Sequence, residues 1–102
     1  MSMLVLRIYG IVQGVGFRPF VWRIAHRTGV KGSVKNKGGY VEVALQGRGS
    51  DIARFKDLLS RELPCNAFID FVEEEEAPDG AYDGFSIVPS EETGSRLPSG
   101  IP

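Results

Sequence analysis

The chain has 102 residues, Lys+Arg 12 against Asp+Glu 13, and a net charge of −1. That length holds one domain with one core, and a hydrophobic content of 42% excludes a disordered chain. One cysteine, Cys65, excludes an internal disulfide or a cysteine zinc cage and suits a reducing compartment. No apolar run approaches the ~18 residues of a membrane span, and the start lacks the long apolar core of a signal peptide. The expectation is a cytoplasmic domain without a membrane segment, monomeric at this length. The charge is unevenly placed. Residues 1–41 carry Arg7, Arg18, Arg23, Arg27, Lys31, Lys35 and Lys37 and no acid, whereas all 13 acids lie in residues 42–102.

Leu4-Val5-Leu6-Arg7-Ile8-Tyr9 is rich in branched and aromatic residues and reads as the first strand, with Leu4, Leu6 and Ile8 on one face. Gly10 to Gly16 reads as a loop. A helix follows, with Pro19 in its first turn, where a missing N–H costs nothing. Phe20, Val21, Ile24 and Ala25 share its apolar face, and Gly29 is placed as a left-handed stop. Lys31 to Lys37 reads as a second strand, Asn36-Lys37-Gly38-Gly39 as turn chemistry, and Tyr40 to Gln46 as a third strand.

Ser50 or Asp51 is the expected N-cap of a second helix, whose stripe is Ile52, Phe55, Leu58, Leu59 and Leu63 and which Pro64 ends. Ala67 to Glu75 and Phe85 to Val88 read as the last strands. The order is a βαββαβ pattern with a short extra C-terminal strand. It predicts an α+β, ferredoxin-like sandwich: two helices on one face of an antiparallel sheet. Residues 1–89 form the expected domain. Residues 90–102 read as a flexible tail, the start of an interdomain linker in a longer protein.

The segment Gly10-Ile11-Val12-Gln13-Gly14-Val15-Gly16-Phe17-Arg18 joins a strand to a helix start. Glycines let successive backbone N–H groups face one concavity, and a helix N-terminus adds free N–H groups and partial positive charge. Arg18 brings a planar, permanently charged fork that matches phosphate oxygens. A cation at a helix N-terminus is unfavourable by itself, and such a local conflict is what a functional site produces. The loop lacks the Gly-Lys-Ser/Thr of a Walker A loop and the third glycine of the dinucleotide fingerprint. By itself it is equally compatible with a plain chain reversal, and Asn36 with ordinary turn chemistry.

Gly10-x-Val12-Gln13-Gly14-Val15-x-Phe17-Arg18 resembles the acylphosphatase signature, and Gly32-Ser33-Val34-Lys35-Asn36 resembles the second signature of that family. Gly16-Phe17-Arg18-Pro19-Phe20-Val21 is most similar to the N-terminal acylphosphatase-like domain of the hydrogenase-maturation carbamoyltransferases. The resemblance implies metal-free, cofactor-free hydrolysis of an acyl phosphate. It implies that Arg18 and the backbone N–H groups of Gln13, Gly14, Val15, Gly16, Phe17 and Arg18 bind the phosphoryl group. Asn36 would hold the attacking water.

In the carbamoyltransferase branch the substrate is carbamoyl phosphate. The product passes to downstream domains and then to a hydrogenase-maturation partner. The alternatives are a stand-alone acylphosphatase and a non-catalytic phosphate-binding or carbamoyl-phosphate-binding module. Nucleic acid is disfavoured: Tyr9, Tyr40 and Phe71 are available, but RNP-type spacing is absent and the net charge is −1. His26 reads as a surface residue, Cys65 as a small loop or core residue, and Glu73 to Glu76 as a solvated strand end.

Overall fold

A computed structural model describes residues 2–14 and 16–89 of the chain. Seven elements follow in order: β1 (Ser2–Ile11), α1 (Phe17–Thr28), β2 (Lys31–Asn36), β3 (Val41–Gly47), α2 (Gly49–Arg61), β4 (Phe68–Ala77) and β5 (Phe85–Val88). The expected elements are all present, with ends displaced by one to a few residues. The expected tail, 90–102, lies outside the described residues.

The strands form one sheet in the order β4-β1-β3-β2-β5. The first four pair antiparallel, with Leu6 opposite Val43 and Glu74, and Val34 opposite Val43. The short extra C-terminal strand makes the sheet mixed. β5 pairs parallel to β2, placing Val34 opposite Ile87. The 78–84 connection returns the chain to the far edge of the sheet, so its last strand enters in the direction of β2.

Alternation along the strands sends Leu6, Ile8, Val34, Val41, Val43 and Leu45 to one face, all buried. Both helices cover that face. α1 contributes Phe17, Phe20, Val21, Ile24 and Ala25, and α2 contributes Ile52, Phe55 and Leu59, with Leu58 and Leu63 half-buried beside them. Thr28 is buried too, and its hydroxyl donates to the Ile24 carbonyl at 2.8 Å, so this hydroxyl is not stranded.

The helix ends divide into one agreement and one correction. Gly29 closes α1 at φ 79°, and its N–H reaches the Ala25 carbonyl. α2 does not start at a Ser50 or Asp51 cap. Arg48 is its N-cap, without a side-chain bond, and both expected caps lie inside the first turn. The chain becomes helical immediately after β3, before either hydroxyl or carboxylate can cap it. α2 ends at Arg61, ahead of Pro64, in keeping with the extended preference of residues preceding proline.

The acidic strand β4 is an edge, and its charges are used on both faces. Glu75 accepts from Arg7 at 2.6 Å and Glu73 from Tyr9 at 3.2 Å on the open face, while Lys56 of α2 pairs with Glu74 at 2.8 Å. Charges along an edge also oppose pairing with another sheet. Arg27 of α1 bonds Glu62 beyond α2, and that bond holds the Glu62 carboxyl below the usual carboxylate range.

Two outcomes follow from this packing. Phe55→Ala removes a fully buried ring and is expected to cost about 3–5 kcal/mol in urea unfolding. The Arg27–Glu62 pair contributes stability above the unfolded Glu pKa, and this is lost as pH falls through the lower folded value. The thermal-midpoint difference between wild type and Glu62→Gln is therefore expected to shrink on acidification and vanish below that value.

Candidate active site

β1 and β2 both run antiparallel to β3, so they run parallel to each other. Their C-terminal ends consequently emerge at the same end of the sheet, one strand apart. The loop after β1 and the turn after β2 meet there.

Gly10 is the next-to-last residue of β1, just before the loop. A register shift between Tyr9 and Gly10 marks a bulge against β4. Gly10 adopts φ 144°, and a Cβ on it would lie 2.1 Å from the Phe68 carbonyl oxygen. The glycine is required by the close approach of the β4 backbone. Val12 and Phe17 are then buried at 2% and 1% exposure, one at each foot of the loop. Between them Gln13, Gly14 and Gly16 are exposed. Val15 lies outside the described residues.

Gly16 is the N-cap of α1, with φ 74° and ψ 21°, in the left-handed region. It has no side chain to cap the helix, and the first turn holds no acidic residue. Phe17 and Arg18 therefore start a helix whose leading N–H groups meet no side-chain acceptor of their own cap, and Pro19 adds none. Arg18 is half-buried beside them, and among the described residues it has no ion pair. Phe17 is so buried that only its backbone could reach a ligand.

On the other side, Asn36 ends β2 on the face it shares with buried Val34. Its Oδ1 accepts the Gly38 N–H at 2.9 Å. Only the amide oxygen can accept, so this bond orients the group and leaves Nδ2 as its donor end. The Lys37 N–H reaches the Tyr40 carbonyl and closes the turn. Gln13 Nε2 then donates to the Gly38 carbonyl at 2.8 Å. This bond joins the loop to the Asn36 turn.

The structure thus places Gln13, Gly14, Gly16, Phe17 and Arg18 in one loop and helix start, and Asn36 in the turn bonded to it. Sequence reasoning missed Gly38, which is gripped through both its N–H and its carbonyl. The only signal was an Asn-Lys-Gly-Gly turn. It also missed Val12 and Phe17 as the feet of the loop, although both are apolar residues flanking the Gly14–Gly16 glycines.

Other features lie elsewhere. An open depression of about 330 Å³, lined by Gly29, Lys31, Gln46, Gly47, Arg48 and Asp51, occupies the opposite end of the sheet and contains no motif residue. On the open face, Tyr9 stacks on Phe71 at 4.4 Å and meets Tyr40 at 5.2 Å, beside exposed Ile11 and Phe68. Loss of solvent and the bond to Glu73 push the Tyr9 hydroxyl pKa up. His26 is exposed and lies against Trp22 on α1, and Cys65 is exposed and free. Among the described residues no group of His, Cys, Asp and Glu gathers to hold a metal ion, and no helix is long and apolar enough to cross a membrane.

A ferredoxin-like sandwich whose glycine loop feeds a helix start without a side-chain cap, beside an arginine, defines a class of α+β domains. The profile of the Acylphosphatase family matches residues 4–87, and the chain belongs to that family. It is 42% identical over 98 residues to a probable carbamoyltransferase HypF of Methanocaldococcus jannaschii, covering 95% of this chain and 13% of that protein. It is 48% identical over 68 residues to an acylphosphatase of Mannheimia succiniciproducens, covering 66% of this chain and 74% of that one. A crystal structure of full-length HypF in the phosphate- and nucleotide-bound form superposes with a TM-score of 0.83 at 34% identity, over 88% of this chain and 12% of that one. The chain is therefore an acylphosphatase domain related both to HypF carbamoyltransferases, of which it spans about one-eighth, and to stand-alone acylphosphatases.

The bulge sets a first test of the site's framework. Gly10→Ala is expected to destabilise the fold by at least ~2 kcal/mol, read by urea unfolding, because its Cβ meets β4 backbone and not a flexible side chain.

Proposed function

We propose that this domain hydrolyses an acyl phosphate, with carbamoyl phosphate as the substrate, and that it works within a larger carbamoyltransferase of nickel-iron hydrogenase maturation. The observation carrying the reaction class is the uncapped, acid-free start of α1 with Arg18 beside it. The relationship to HypF carbamoyltransferases supports the choice of substrate.

The chemistry suits these residues. The phosphoryl oxygens bind the exposed loop amides and the Arg18 guanidinium, which neutralises their charge. Asn36 Nδ2 holds a water in line with the bond to be broken. The water oxygen bonds to phosphorus, and the bond from phosphorus to the acyl oxygen breaks. The acyl group leaves as a carboxylate, carbamate in this case. The water's proton passes to a phosphate oxygen, so no strong protein base is needed. An acyl phosphate already has a good leaving group, so positioning and charge stabilisation supply the rate. Carbamate would then pass to downstream domains for activation and transfer to a partner protein's cysteine.

A nucleic-acid role fits less well. The open-face aromatics are flanked by Glu73 and Glu75, whose charge repels phosphate.

The test measures phosphate release from carbamoyl phosphate and from acetyl phosphate by wild type, Arg18→Ala and Asn36→Ala. Loss of one anion donor is expected to lower the rate on the order of 10²–10³-fold in Arg18→Ala. Wild-type release at the uncatalysed rate overturns the hydrolase reading. Tight phosphate binding without turnover would instead identify a binding module.

A further inference from the structure

Two segments far apart in sequence must be held in register for the proposed reaction. One is the loop that binds the phosphoryl group, and the other is the turn that carries Asn36. β3 lies between the strands that support them, so no ladder of backbone hydrogen bonds joins β1 to β2. The Gln13 side chain crosses that gap. Its Nε2 donates to the Gly38 carbonyl at 2.8 Å, while the Gly38 N–H donates to Asn36 Oδ1 at 2.9 Å.

Gly38 is suited to this double grip. It adopts φ 91°, in the left-handed region, which turns its N–H and carbonyl to different partners without the strain a side chain would bring. The result is a relay from the Gln13 amide through one peptide residue to the Asn36 amide. It governs two things at once: where the turn sits relative to the loop, and which end of the Asn36 amide is left to donate.

From this geometry we infer that Gln13 is a positioning residue for the hydrolysis, acting through Gly38 to hold the Asn36 amide against water while its own backbone serves the phosphate. The inference rests on the acyl phosphate hydrolase reading above. It separates the two roles of one residue. The backbone of Gln13 belongs to the phosphate loop and survives any side-chain change. Its side chain is spent on the Gly38 carbonyl. Removing the side-chain donor therefore leaves ground-state phosphate binding intact and misplaces the nucleophile, an effect confined to the chemical step.

The experiment uses Gln13→Met, which keeps the length of the side chain and removes its donors. Relative to wild type, kcat with carbamoyl phosphate is expected to fall on the order of 10–10²-fold, the scale of a misplaced reactant. The Kd for inorganic phosphate is expected to stay within about twofold, since Arg18 and the loop amides remain. In an Asn36→Ala background, Gln13→Met is expected to add almost nothing, because it acts through the missing amide.

An unchanged kcat, a weakening of phosphate binding as large as the loss in kcat, or independent multiplication of the two single effects each overturns the inference. If wild type itself fails to turn over, the hydrolase reading fails, and the relay is judged separately by hydrogen exchange. Gly38 N–H exchange at least ~10-fold faster in Gln13→Met, with the α1 and α2 amides unchanged, supports the relay. Unchanged Gly38 exchange removes it.

Discussion

Val12 and Phe17 are buried on either side of the glycine loop, at 2% and 1% exposure. The drive to remove these two side chains from water sets the shape of everything between them. With both feet fixed in the core, Gln13, Gly14 and Gly16 stand out as an exposed arch between them. Glycine at 14 and 16, each at φ 74°, allows the arch. The same burial of Phe17 fixes the first turn of α1, and hence where its leading N–H groups and Arg18 stand. Core packing thus sets where the loop and the start of α1 stand.

The second requirement is set by strand direction. β1 and β2 are parallel to each other only because each pairs antiparallel with β3. Helix α1 makes the crossover between them and brings their exits to one end of the sheet. There a single side chain, Gln13, can span what the sheet's own hydrogen bonds leave unconnected. The glutamates of β4 are set back from this end, where the Asp70 backbone lies against Gly10. Glu73 to Glu76 pair in register with Leu4 to Arg7, back along β1 from the loop, and Glu73, Glu74 and Glu75 are engaged by Tyr9, Lys56 and Arg7. The acid-free first 41 residues contain the loop, α1 and Asn36, while the glutamate run of β4 pairs with the earlier part of β1.

Much of this was legible in the sequence because it depends on local rules. Period-two and period-3.6 patterns locate strands and helices, and they placed Leu6, Ile24 and Phe55 on apolar faces that the fold buries. Gly29 read as a helix stop because few residues but glycine adopt the left-handed conformation readily. The α2 cap was misjudged because capping preference is weak against a helix that starts directly from a strand. The direction of β5 was not legible for a related reason. Phe-Ser-Ile-Val marks a strand but says nothing about which neighbour it joins or in which sense. Of the proposed site, Arg18, Asn36 and the glycine loop were visible as residue types in order, and their family signature gave them roles. The contacts of Gly38 and Gln13 were not visible, since an Asn-Lys-Gly-Gly turn looks the same whether or not a distant glutamine holds it.

What the amino-acid order determined by itself is the set of elements, the core faces and the chemistry on offer: a glycine loop, an arginine at a helix start and an asparagine at a strand end. These follow from near-neighbour sterics and from hydrophobic periodicity, which act over a few residues. Tertiary structure alone decided that the loop and the turn, 25 residues apart at Gln13 and Gly38, share one hydrogen bond. It also decided that Gly10 lies under the β4 backbone and that the last strand runs parallel to β2. Those outcomes depend on how the strands order themselves in the sheet. That order is settled by burying one continuous apolar face beneath two helices, a property of the whole chain and of no segment within it.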